Sequence, residues 1–118
     1  PEAGQALPWP IYEGRDLSRY ANWRGWLGVF ATNLEAPFTA IYEPTTELGM
    51  VRVFDDDVAQ GSKLFGLGPG CPHTQIYTDD GSEYVEMWGG YTPTFWDYAT
   101  LKPGEQVTYE EIWYPISH

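Results

Sequence analysis

The stretch FTAIYEPTTELGMVRVF, residues 38–54, decides the fold class. Phe38 to Glu43 and Met50 to Phe54 are short runs rich in β-branched and aromatic residues. Between them, Pro44 to Gly49 is turn chemistry, so the segment reads as two strands and their connection. Four more runs of the same kind flank it: Trp26 to Thr32, Lys63 to Leu67, Glu83 to Trp88 and Gln106 to Tyr114. GPGCP, residues 68–72, cannot continue a strand. TDDG, residues 78–81, is a tight-turn signal before the fifth run. Lys102-Pro103-Gly104-Glu105 suits a type II turn before the sixth, with Pro and Gly at the two central positions. Six short runs separated by turns predict an all-β, antiparallel β-sandwich.

Working outward, residues 1–16 hold three prolines and two glycines without apolar periodicity and read as an irregular lead-in, leaving 17–118 as the sandwich. Pro8, Trp9 and Pro10 are expected to form an extended anchor with Trp9 packed on the domain. A short helix is expected near Asp16 to Asn22, capped by Asp16. The chain of 118 residues is one domain at most. With 42% hydrophobic and 17% aromatic residues it lies outside the composition of disordered chains. Pro1 in place of an initiator Met reads as a processed or truncated product.

Charge and composition exclude several classes of function. Seventeen acidic residues stand against 6 basic ones, a formal net charge of -11. Six scattered cations make no footprint for nucleic acid, whose affinity rests on neutralised phosphates. An anionic membrane surface is disfavoured for the same reason. Apolar runs of a few residues fall far short of the roughly 20 that cross a bilayer. No signal-peptide pattern opens the chain, and the compartment stays open. Cys71 is the sole cysteine, so an internal disulfide and a thiolate metal cluster are ruled out. Asp55, Asp56 and Asp57 match no EF-hand spacing and read as a solvated acidic loop rather than a calcium site. Gly66, Gly68 and Gly70 precede neither a Lys nor a helix, so turn or close-packing roles are expected of them. No cofactor and no metal are expected.

Alternation on the fifth run supplies the candidate site. Val85 and Met87 point one way, into a core, and Tyr84, Glu86 and Trp88 point the other. A carboxylate between a phenol and an indole makes an amphipathic floor. Sugars need such a floor, because their C–H faces lie on aromatic rings while their hydroxyls require hydrogen-bond partners. Gly89 and Gly90, just after it, allow the close approach of a ligand or backbone, and a β-bulge explains them equally well. Trp26 and Asn33 bracket the first run as rim candidates, and His73 in its Pro-flanked loop is a further binding candidate. The net charge disfavours a strongly anionic substrate unless Arg24 or Arg52 points into the cleft, and Arg52 reads as a surface or ion-paired strand residue.

Taken in order, WPIYEGRDLSRYANW, GMVRVF, GSKLFGLG, DDGSEYVEMWGG, PTFWDY and LKPGEQVTYEEIWYPI resemble the later part of a galactose-mutarotase-like domain. The chain is most similar to the uncharacterised bacterial DUF5107 group and more distantly to aldose 1-epimerases, over about residues 8–116. The resemblance implies a β-supersandwich with a carbohydrate-binding cleft, of which this chain would be roughly the C-terminal half. It also implies that Glu86, placed like the epimerases' general base, would take the anomeric hydroxyl proton. The epimerases' acid comes from the earlier half of the domain, and their usual Pro-Asp pair does not follow Glu86. A carbohydrate ligand is the expected partner. The alternative is a non-catalytic module whose sheet edges pair with the missing N-terminal half or with another copy of the chain.

Overall fold

A computed structural model describes residues 4–72 and 74–118. The chain is all-β, and no α-helix occurs among the described residues. Its strands are β1 (Ile11–Tyr12), β2 (Arg15–Asp16), β3 (Trp26–Ala31), β4 (Phe38–Glu43), β5 (Leu48–Phe54), β6 (Ser62–Leu67), β7 (Tyr84–Trp88) and β8 (Glu111–Ser117). They form three antiparallel sheets, ordered β1-β2, β3-β6-β7 and β4-β5-β8. All six sequence-predicted runs therefore contain a strand. The chain divides into two compact units, one built from residues up to Leu27 with Phe65–Val85, the other from Gly28–Leu64 with Glu86–His118.

In the first unit the core is small. Leu17, Trp23, Leu27 and Leu67 are buried, and the Trp23 Nε1 donates to the Leu17 carbonyl at 2.8 Å. Two glycines let this indole pack. A Cβ on Gly66 would lie 2.8 Å from the Trp23 ring, and one on Gly68 would lie 2.9 Å from the Trp23 backbone, so both take the close-packing role expected of them. The Tyr20 hydroxyl donates to the Leu67 carbonyl, and burial together with the charge of Glu83 pushes its pKa up.

Three expectations are corrected in this unit. A β1-β2 hairpin, turned by Glu13 and Gly14 at φ 48 and 74, lies inside the stretch read as irregular. Instead of a helix capped by Asp16 there is one 3-10 turn, Tyr20–Asn22, preceded by Arg19 without a side-chain cap. Asp16 is held elsewhere: it pairs in β2, and its Oδ1 accepts from Ser18 N at 3.0 Å and Ser18 Oγ at 2.6 Å. Trp9 stays 45% exposed, less packed than expected.

The second unit is organised by the register of β4-β5-β8, in which Thr39 pairs with Arg52 and Arg52 with Trp113, while Phe38 pairs with Val53 and Val53 with Ile112. Residues paired across antiparallel strands share a face. One face thus carries Thr39, Arg52, Phe54, Glu111 and Trp113. The other carries Phe38, Ala40, Tyr42, Val51, Val53, Ile112 and Tyr114. The first meets β6, where the Thr39 and Ser62 hydroxyls lie 2.9 Å apart. The last strand begins at Glu111 rather than Gln106, because β5 ends at Phe54 and the chain then turns. Asp55 N donates to the Glu110 carbonyl at 3.3 Å, and residues 106–109 have no strand beside them.

Candidate functional site

Strand β7 carries Tyr84, Glu86 and Trp88 as the alternation requires, yet all five of its residues are half-buried. Val85 and Met87 are therefore no deeper than the residues opposite them, and neither face is a clean core face. Tyr84 belongs to the first unit, where its ring stacks on Tyr77 at 5.1 Å and 29°. Glu86 and Trp88 belong to the second, where the Trp88 carbonyl accepts from Ser62 Oγ at 3.4 Å. Trp26 is 66% exposed in the first unit, Asn33 is exposed in the second, and His73 lies outside the described residues.

Within the second unit the loops after β5, after β7 and before β8 enclose an open groove of about 680 Å3. That lies within the usual range of ligand sites, roughly 300–1,000 Å3. Tyr91 and Tyr98 supply rings, Asp57 and Asp97 carboxylates, and Gln60 and Gln106 amides that both donate and accept. The loop after β7 is pinned from below. Phe95 and Trp96 meet Phe30 of β3 edge-on, with centroids 4.9 and 5.1 Å away, which leaves Tyr98 96% exposed. Asp97 is oriented by its own turn, its Oδ2 accepting from Thr94 N at 3.0 Å and Thr94 Oγ1 at 2.9 Å. Gln106 Nε2 donates to Thr108 Oγ1 at 3.1 Å on the opposite wall.

Asp57 links the groove to the acidic run. Asp55 Oδ1 accepts from Asp57 N at 3.2 Å and Asp56 Oδ1 from Gly61 N at 2.7 Å, so two of the three carboxylates hold a turn. No group of three potential metal ligands occurs among the described residues. Asp57 is the member of this run that faces the groove. Sequence reasoning missed the groove because its residues come from segments without strand periodicity. The signal was present in YTPTFWDY, residues 91–98, where four rings and an acid crowd a stretch that cannot be a strand.

Beside the groove lies a buried charge cluster. Arg52 is fully buried, with Nη2 2.6 Å from Glu111 Oε1, Nη1 3.3 Å from Ser62 Oγ, and the guanidinium 4.0 Å from the Phe54 ring centroid. This is the ion-paired alternative expected for Arg52. Its Nε is buried without a hydrogen-bond partner among the described residues. The hydrogen bond from Arg52 holds the Glu111 carboxyl below the usual range against the opposing effect of burial, and the Trp113 indole donates to the other oxygen at 3.1 Å. Gly89 exists for this guanidinium, since a Cβ there would stand 1.7 Å from Nη2. Lys63, 5% exposed, is the second buried cation. Burial first, then the charge of Arg52, pushes its amine pKa down, and Asp97 acts in the other direction. Comparison with protein families, curated proteins and solved structures gave no match.

Proposed function

We propose that the second unit recognises a carbohydrate in the groove between its loops. The observation that carries this reading is the convergence of two tyrosine rings with two carboxylates and two amides in one open groove. Rings give the apolar face of a sugar a surface to stack on, and the carboxylates and amides match its hydroxyls. The resemblance to mutarotase-like domains supports the same ligand class by a different route, one that favours the β7 residues Tyr84, Glu86 and Trp88 instead.

Saturation-transfer NMR against a panel of free aldoses separates these two locations. With the groove as the site, Tyr98→Ala and Asp97→Asn each weaken binding about tenfold, the effect of losing one ring contact or charged hydrogen bond. Trp88→Ala then leaves it unchanged. Loss of contact only on Trp88→Ala would move the site to β7. Anomer exchange is read in the same samples, and exchange that Glu86→Gln abolishes would assign Glu86 the role of general base.

A second reading rests on a separate observation. The face of β4-β5-β8 turned away from Arg52 exposes Phe38 (52%), Tyr42 (38%), Ile112 (53%) and Tyr114 (44%). A face that exposes four large side chains suits a module that associates with another copy of the chain.

A further inference from the structure

We infer that Lys63 is a reactive amine, opened by the missing side chain of Gly90, that condenses with the carbonyl carbon of a small aldehyde or open-chain sugar. Three observations converge on it, and none requires the groove to hold a ligand.

The first is placement. Lys63 sits on β6 with its stem buried, and its Nζ makes no ion pair within 4.0 Å of a carboxylate among the described residues. The second is the notch. A Cβ on Gly90 would meet Lys63 Nζ at 3.6 Å, so the amine lies against the position that the missing side chain would take. Gly89 beside it is filled by Arg52, which makes the two adjacent glycines different in kind. The third is electrostatic. A lysine becomes nucleophilic when desolvated or set beside another cation, because both disfavour the ammonium form. Lys63 has both features, and its pKa is displaced downward from 10.5. The charged groups that act on it are Arg52 from β5, which disfavours the ammonium and is itself paired with Glu111 of β8, and Asp97 from the loop after β7, which favours it.

The chemistry closes without a further reagent. The free amine attacks the carbonyl carbon, a C–N bond forms, and the carbonyl oxygen leaves as water to give an imine. Asp97, already oriented by Thr94, is the nearby carboxylate able to stabilise the protonated imine.

The test is reductive trapping of the whole protein with glycolaldehyde and cyanoborohydride at neutral pH, followed by site-resolved mass spectrometry. Lys63 should be alkylated at least about tenfold faster than exposed Lys102. The midpoint of its rate against pH should lie below the ordinary lysine value of 10.5. Gly90→Val should slow Lys63 without changing Lys102, and Gly90→Ala should do so less. Circular dichroism verifies that both variants are folded. Labelling of Lys63 no faster than Lys102 would overturn the inference, as would fast labelling that neither Gly90 variant slows.

Discussion

Arg52 and Glu111 are a residue-scale commitment, because the fully buried guanidinium has one paired carboxylate among the described residues. Breaking a buried pair by removing one partner typically costs about 3–5 kcal/mol. Glu111 is 23% exposed, so water reaches the pair, and Glu111→Gln keeps a hydrogen-bonding oxygen. We therefore expect a loss of about 2 kcal/mol, read from urea denaturation at pH 7. The loss should depend on pH with a fixed sign. The folded-state carboxyl titrates below the ordinary 4.5, so its contribution is complete above that value and disappears as pH falls through the folded value. Wild type and Glu111→Gln should therefore converge in stability as pH falls below 4.5 and through the folded-state value. A difference that persists unchanged into acid would mean that the pair contributes through packing rather than charge.

At the scale of elements, the two glycines that end β7 make opposite predictions. Gly89→Ala drives a methyl into Arg52 Nη2, and the guanidinium can move only by leaving Glu111. Overpacking of this kind costs roughly 1–3 kcal/mol, and here the upper end is expected. Gly90→Ala adds an ordinary contact and should change stability by less than about 0.5 kcal/mol. Because both routes break one ion pair, Gly89→Ala and Glu111→Gln should be strongly non-additive in a double-mutant cycle. Additive losses would show that Arg52 keeps Glu111 by another path. The glycine pair also marks how far the sequence could be read. Close approach at Gly89 was legible, since only a missing side chain admits another group. What approaches was not: the guanidinium comes from β5, 37 positions earlier, through a register no local pattern encodes. The strands themselves were legible, because alternation and turn chemistry are local. β8 began late for the same non-local reason, its partner β5 having ended. The groove was illegible because loops carry no period, and the hairpin at Ile11–Asp16 was hidden by strands of two residues each.

At the scale of the whole molecule, the sheet β4-β5-β8 buries Arg52 and Phe54 on one face, while on the other the edge strands expose rings on either side of the buried Val51. Phe38, Ala40, Tyr42, Val51, Val53, Ile112 and Tyr114 contain no carboxylate or cation, although the chain carries a net charge of -11. Two acidic chains repel wherever their carboxylates meet, so a charge-free face is where a second copy can approach without that penalty. The four large exposed side chains leave roughly 400 Å2 in water, and two such faces would bury about 800 Å2 together. Stable specific interfaces start near 1,200 Å2, so the arithmetic predicts a weak, concentration-dependent dimer rather than an obligate one. Edge strand β4 lacks the lysine or proline that blunts exposed edges, whereas β8 carries Pro115, so any strand-to-strand extension falls to β4. Sedimentation velocity over a hundredfold range of concentration should show the mean mass rising. Tyr114→Glu should hold the chain as a monomer, because it places a charge on the face beside Val51 of the central strand. A wild-type chain that stays monomeric up to roughly 100 μM would sink the interaction reading, since an interface too weak to form there exceeds even the low-area class. Dimerisation that survives Tyr114→Glu would place the contact on another surface.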